Sequence, residues 1–213
     1  MKIVDLRVYL TRPGVGRTWV FVELETADGV GGVGEATNSG GGGALVVARA
    51  YDMLKNDLAS ADFSEGLVGQ DPNHIERIWH QIYRRFGTLG SRGFATTLCS
   101  GIDMALWDIK GKALGRPVYD LLGGPLRDRV QLYSHVAHAD DIEKAVEDAR
   151  RQVKLGYTAL KLDPFAPEMA KKHRRYIDGK ISAHGEEHPD NLVGELRKAV
   201  GPNIELMIDA HGN

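Results

Sequence analysis

The stretch "GIDMALWDIKGKALGRPVYDLLGG", residues 101–124, marks the point at which the pattern of the sequence changes. It completes a helical pattern over 94–114, whose apolar residues recur at helical spacing: Phe94, Leu98, Ile102, Leu106 and Ile109. Gly115 and Pro117 end that helix, since glycine is favoured after a helix C-terminus and proline cannot continue the helix. Beyond "LLGGP" the predicted strands and helices alternate, unlike those upstream, and we therefore place a domain boundary near residues 123–126.

Upstream of this boundary the pattern is that of strands followed by helices. Apolar and charged residues alternate over 2–10, and further strands are predicted over 19–24 and 30–36, with the turn signal "ADG" at 27–29 between them. Helices are predicted over 44–58 and from Asp71, where Pro72 in "DPNHIERIWHQIYRRF" is typical of a helix start. An antiparallel meander with helices predicts an α+β domain.

Downstream the order is strand, helix, strand, helix, strand, over 130–136, 141–155, 159–162, 192–200 and 204–208. This order is typical of a parallel α/β unit. A polar segment over 164–189, which contains "HGEEH" at 184–188, is much longer than an ordinary connection, and we expect it to be mobile.

In such a unit, functional side chains lie at the carboxyl ends of the strands. The strand ends carry three pairs: Ser134 and His135, Lys161 and Asp163, Asp209 and His211. Because residues two apart point to the same side of a strand, the second and third pairs are predicted to project towards one space.

Composition narrows the class of protein. The chain has 213 residues, 42% of them apolar, and a formal net charge of -2, which indicates a soluble globular protein. This charge gives no electrostatic reason to expect nucleic acid or a membrane as partner. The single cysteine, Cys99, lies in an apolar helical pattern, as in proteins of a reducing compartment, and no signal-like or membrane-spanning stretch is present. The prediction is a cytoplasmic protein.

Residues 101–124 resemble the segment that joins cap to barrel in the mandelate racemase and muconate lactonizing branch of the enolase superfamily. The resemblance continues through "GYTALKLD" (156–163) to "DAHGN" (209–213) and covers nearly the whole chain. It implies an α+β capping domain at residues 1–125 and, at 126–213, about the first three strands of a (β/α) TIM-type barrel. Because such a barrel takes roughly 250 residues, we expect the chain to be a fragment that is inactive alone. A separate prediction is that the complete protein is a homo-oligomer that acts on a small-molecule sugar acid.

The resemblance also implies roles for individual residues. Asp209 corresponds to the first Mg²⁺ ligand, and His211 resembles the base of the sugar-acid dehydratases. Lys161 matches the first lysine of the family's Lys-x-Lys motif, and Asp163 replaces the second, a departure that argues against a lysine base on this strand. We expect Lys161 to be a catalytic residue that acts at the carboxylate end of the substrate; an ordinary solvated lysine is the alternative. We expect Asp163 either to form an ion pair with Lys161 or to contact the substrate.

Two glycine-containing segments have no counterpart among these roles. "GGVGEATNSGGGG" at 31–43 lacks the Lys-Ser/Thr ending of a phosphate loop, and we expect it to form a flexible lid together with residues 12–17. Arg17 is then either a contact for a substrate carboxylate or hydroxyl, or an ordinary exposed arginine.

The implied activity is Mg²⁺-dependent dehydration of an aldonate or aldarate. The α-proton is very weakly acidic, so the enediolate formed by its removal needs a hard cation on its oxygens. Histidine, with a pKa near 7, suits the proton transfer, after which a β-hydroxyl leaves as water. The alternatives are a racemase or epimerase of an α-hydroxy acid, and a fragment without catalytic function. The sequence does not identify the sugar acid.

Overall fold

The structure, a computed structural model, describes residues 1–12, 18–37, 43–56, 66–87, 93–165 and 183–210. The chain divides into two compact units, Met1–Leu126 and Arg127–Asn213. Each unit has its own cluster of buried apolar side chains. No helix in the described ranges is long and apolar enough to cross a membrane.

The first unit contains an antiparallel sheet in the order β1-β2-β3. The strands are β1 (Ile3–Thr11), β2 (Trp19–Thr26) and β3 (Gly31–Glu35), which confirms the predicted meander. Alternate residues of β2, namely Val20, Val22 and Leu24, are fully buried, because period-2 alternation turns one face of the strand to the core.

The described part of this unit also contains the helices α1 (Gly43–Asn56), α2 (Ile75–Arg85), α3 (Phe94–Leu114) and α4 (Val118–Leu121). The predicted bounds of α3 are confirmed, and Gly115 ends it in the left-handed conformation at φ 63°. The prediction that Pro72 starts a helix is wrong. The Asn73 amide donates to Asp71 Oδ1 at 2.9 Å, and this local turn delays the helix until Ile75.

Glycines in β3 allow α3 to lie very close to the sheet. A Cβ on Gly32 would lie 2.1 Å from the carbonyl oxygen of Ala105, and one on Gly34 would lie 1.9 Å from that of Gly101. Both positions therefore need glycine for packing. The prediction of a flexible lid is wrong for residues 31–35, which form a strand, while 13–17 and 38–42 lie outside the described residues.

Side chains of α3 also occupy hydrogen-bonding positions on β3, an edge strand. Asp108 Oδ2 accepts a hydrogen bond from the Val33 amide at 2.9 Å, and Lys112 Nζ donates to the Gly31 carbonyl at 2.9 Å. The two side chains bind each other at 2.8 Å. We refer to Asp108 and Lys112 as the edge clasp, because edge strands otherwise expose unpaired backbone groups.

The second unit contains a parallel sheet in the order β4-β5-β6, as predicted. Its elements are β4 (Ser134–His135), α5 (Ile142–Lys154), β5 (Ala159–Leu162), α6 (Ala183–Val200) and β6 (Glu205–Ile208). The strand predicted over 130–136 is too long. Only Ser134 and His135 pair with β5, and the preceding Val130 and Leu132 are exposed.

Helix α6 begins nine residues earlier than predicted, at residue 183 rather than 192. It includes "HGEEH", so residues 183–188 are helical, and their mobility stays a prediction. His188 contributes a fixed contact, since its Nε2 lies 2.7 Å from the Ala139 carbonyl oxygen in the loop after β4. Residues 166–182 of the predicted insertion lie outside the described ranges.

Asp148 of α5 anchors the same loop. Its carboxylate is buried, accepts a hydrogen bond from the Ala137 amide at 2.8 Å, and pairs with Arg151. Burial alone would raise the pKa of Asp148, but the hydrogen bonds from Ala137, Arg151 and Gln152 outweigh it, and the pKa lies below its ordinary value. Asp148 therefore holds the end of β4 against α5 as a carboxylate.

Candidate active site

The candidate site lies at the carboxyl ends of the parallel strands β4, β5 and β6. Leu160 and Leu162 of β5 are buried against side chains of α5 and α6. Because side chains alternate along a strand, Lys161 projects from the opposite face of the sheet. The register places His135 of β4 directly beside Lys161.

Lys161 and Asp209 form an ion pair on this face. Lys161 Nζ lies 2.6 Å from Asp209 Oδ2, and the two side chains are 23% and 33% exposed. The backbone positions Asp209, since its amide donates to the Leu162 carbonyl at 3.0 Å and continues the β5–β6 pairing by one residue. The structure thus brings together two of the predicted site residues.

The ion pair favours the protonated form of Lys161 still further. The pKa of its ammonium is raised above the ordinary value, first because Asp209 accepts its hydrogen bond and further because of the negative charge of that carboxylate. Partial burial acts in the opposite direction and is outweighed. A protonated ammonium can donate hydrogen bonds and stabilise negative charge, but it cannot accept a proton.

Tyr133 is a member of this cluster that the sequence analysis missed. Lys161 Nζ lies 5.7 Å from the centroid of the Tyr133 ring, and the His135 ring contacts Tyr133 edge-on at 5.6 Å. One sequence signal could have identified Tyr133. It lies two residues before His135, so strand alternation places both side chains on one face.

Asp163 follows the end of β5 and forms a local turn. Its Oδ1 accepts a hydrogen bond from the Phe165 amide at 3.0 Å. Lys161 forms an ion pair with Asp209, which follows the neighbouring strand β6. A contact between Asp163 and substrate stays a prediction.

The metal-binding prediction concerns mainly Asp209. Mg²⁺ prefers carboxylate and other oxygen ligands in octahedral array, and Asp209 places one carboxylate at the strand end, where it is paired with Lys161. Within the described ranges, no group of three His, Cys, Asp or Glu side chains could hold a metal ion. The base predicted at His211 and the contact predicted at Arg17 lie outside those ranges.

Along the chain, an α+β unit precedes a unit with a parallel sheet, and this is the order that the sequence resemblance implied. Comparison with known proteins gives the class. Residues 13–123 match the family model for the N-terminal domain of mandelate racemase and muconate lactonizing enzyme. The chain belongs to this family of the enolase superfamily, and the resemblance inferred from residues 101–124 is confirmed.

Particular relatives are similar along almost the entire chain. A D-mannonate dehydratase from Caulobacter sp. (strain K31) is 34% identical over 227 residues, covering 99% of this chain and 53% of that protein. A D-galactonate dehydratase from Pectobacterium atrosepticum is 34% identical over 212 residues, covering 100% and 49%. Among solved structures, a protein from Mesorhizobium loti described as a dehydratase is 36% identical to this chain in sequence. Its crystal structure matches with a TM-score of 0.82, covering 99% of this chain and 53% of that one.

The chain spans about half the length of the curated relatives it matches. The match to the family's N-terminal domain supports the predicted capping domain, whereas the number of barrel strands stays a prediction. The predicted compartment and oligomeric state also stay predictions.

Proposed function

We propose that a protein of the relatives' full length that contains this chain is a Mg²⁺-dependent dehydratase of a sugar acid, an aldonate or aldarate. The observation that carries this proposal is the similarity, over 99% and 100% of the chain, to proteins named D-mannonate and D-galactonate dehydratase. The cluster of charged side chains at the strand ends supports it, because this edge of a parallel sheet is where α/β enzymes hold their substrates.

In this proposal Asp209 is one ligand of the metal. Bound Mg²⁺ would supply positive charge for the oxygens of the substrate carboxylate, on which negative charge develops when the α-proton is lost. Asp209 suits this role because the β6 backbone fixes its position at the strand end. The described residues provide this one carboxylate rather than a complete ligand set, so further ligands must come from elsewhere.

In the same proposal, His211 accepts the α-proton of the substrate, and Lys161 stabilises the negative charge that develops on the substrate oxygens. An unperturbed imidazole is neutral for much of its time at pH 7 and is therefore ready to accept the α-proton. Lys161 stays protonated beside Asp209, so its role is to hold negative charge on the substrate rather than to act as base. Arg17 and Asp163 are the proposed contacts for substrate carboxylate or hydroxyl groups.

The test uses a protein of the relatives' full length that contains this chain. It is incubated with Mg²⁺ in deuterated water and a panel of aldonic and aldaric acids that includes D-mannonate and D-galactonate. The expected result is loss of water from at least one acid, measured by mass spectrometry. A 3-deoxy analogue of that acid, which lacks the leaving hydroxyl, should exchange its α-proton without dehydration. Exchange with inversion and no loss of water would instead identify a racemase or epimerase, and no reaction with any acid would refute both activities.

A matched pair of variants tests the role of Asp209 within that assay. Asp209→Asn keeps the shape of the side chain but removes its charge, and we expect it to abolish turnover and weaken Mg²⁺ binding. Glu205→Gln makes the same chemical change at the other end of β6, on an exposed residue, and should leave both unchanged. If the two variants had the same turnover and the same Mg²⁺ affinity, the role of Asp209 as a metal ligand would be refuted.

A further inference from the structure

We infer that Tyr133 is a positioning residue for Lys161, and that its ring holds the ammonium on the open face of the β4–β5–β6 sheet. This inference rests on the proposed function, in which Lys161 meets the negative charge of the substrate. It adds a residue that neither the strand-end pattern nor the chemistry of proton abstraction requires.

The geometry is that of a cation above an aromatic face. Lys161 Nζ lies 5.7 Å from the centroid of the Tyr133 ring, within the range of about 6 Å over which a ring attracts a cation. Asp209 is a second partner of the same nitrogen, since its Oδ2 lies 2.6 Å from it. The ammonium thus contacts a carboxylate just after β6 and the ring of the residue just before β4.

The Tyr133 ring is itself fixed by its neighbours. The His135 ring meets it at 5.6 Å with an interplanar angle of 61°. His135 pairs in register with Lys161, so the backbone of β4 sets the distance between the ring and the lysine. Tyr133 remains 45% exposed, which indicates that it is not buried as part of the apolar core of this unit.

The ring matters most when Asp209 is engaged by another cation. A divalent ion on the carboxylate would weaken its hold on Lys161 and repel the ammonium, because charges of like sign oppose each other. An aromatic face carries no net charge, so its attraction for the ammonium is unaffected by that exchange of partners. Tyr133 would then keep Lys161 in place for the substrate.

The test uses the ring current of Tyr133 as a measure of position. In the 213-residue chain, the ε-methylene protons of Lys161, identified by their loss in Lys161→Arg, should appear upfield of those of exposed lysines. Tyr133→Phe should preserve this shift, because the ring remains, and Tyr133→Leu should abolish it. Asp209→Asn should also preserve it, since the ring holds the ammonium without the carboxylate.

Three outcomes would overturn the inference: no upfield shift in the parent chain, a shift that survives in Tyr133→Leu, or a shift that disappears in Asp209→Asn. Unchanged methyl signals of buried Leu160 control for the fold of the unit. In a protein of full length, Tyr133→Leu should lower kcat/KM about two- to fivefold, and Tyr133→Phe should restore it. Upfield shifts without any turnover would contradict the proposed function and leave the inference intact.

Discussion

Replacement of Gly34 by alanine tests whether the glycines of β3 are there for packing. The new Cβ would lie 1.9 Å from the Gly101 carbonyl oxygen, and the next contact, 2.9 Å from the Gly101 carbonyl carbon, is also to backbone. Neither atom can rotate away, so α3 must move from the sheet or β3 must distort. We expect Gly34→Ala to lower the free energy of unfolding of the first unit by about 3 kcal/mol, the upper end of the usual cost of overpacking.

Gly31→Ala is the matched control on the same strand. Its Cβ would meet the Leu24 carbonyl oxygen at 3.5 Å, an ordinary contact, and the glycine has no positive φ. The change in its unfolding free energy should stay within about 0.5 kcal/mol.

The unfolding free energy of the first unit in both variants is measured by urea denaturation monitored by tryptophan fluorescence. All three tryptophans, Trp19, Trp79 and Trp107, lie in Met1–Leu126, so the emission reports the unfolding of that unit. If Gly34→Ala and Gly31→Ala had equal midpoints, the close approach of α3 to β3 would be refuted, and the glycines of this strand would need another explanation.

Four further results are expected. In a protein of full length, His211→Asn should stop exchange of the substrate α-proton with deuterium while Mg²⁺ still binds; exchange at the parental rate would exclude this base. The 213-residue chain should show no Mg²⁺ affinity by calorimetry beyond that of a surface carboxylate, because its described residues offer no group of three ligands; sub-millimolar affinity would contradict this. Asp108→Ala should cost the first unit about 1–2 kcal/mol, since it breaks the edge clasp, and an unchanged urea midpoint would show that the clasp is not stabilising. Since the folded pKa of Asp148 is depressed, the stability it contributes is present above its unfolded pKa of about 3.9 and lost as the pH falls through the folded value. Asp148→Asn should therefore flatten the acid-induced loss of stability measured by circular dichroism, and an unchanged pH slope would contradict that role.

Local signals explain which parts of the fold could be predicted. The bounds of α3 follow from apolar residues at helical spacing and from Gly115, all of which lie in one stretch of sequence. Helix α2 begins late because the Asp71 side chain accepts a hydrogen bond from the Asn73 amide, and this local turn prevails over the helix-start signal of Pro72. The start of α6 was missed because polar residues and Pro189 hide a helix in a segment with little apolar periodicity.

The location of the candidate site could be predicted from the sequence, but the contacts between its side chains could not. Strand ends and two-residue spacing placed Lys161 and Asp209 on one edge of the sheet. That they bind each other depends on the register between β5 and β6, a non-local property that a single sequence does not specify. The contribution of Tyr133 was hidden for the same reason, since its partner lies on another strand.

The edge clasp has a consequence for protein engineering. Since Asp108 and Lys112 occupy the Val33 amide and the Gly31 carbonyl, a peptide that extends sheets through backbone hydrogen bonds would first have to displace a charged pair. A barrier made of two side chains can be removed by two substitutions, without any change to the strand itself. Substitution of Asp108 and Lys112 would therefore free the backbone groups of β3, and a designed strand could then pair with it.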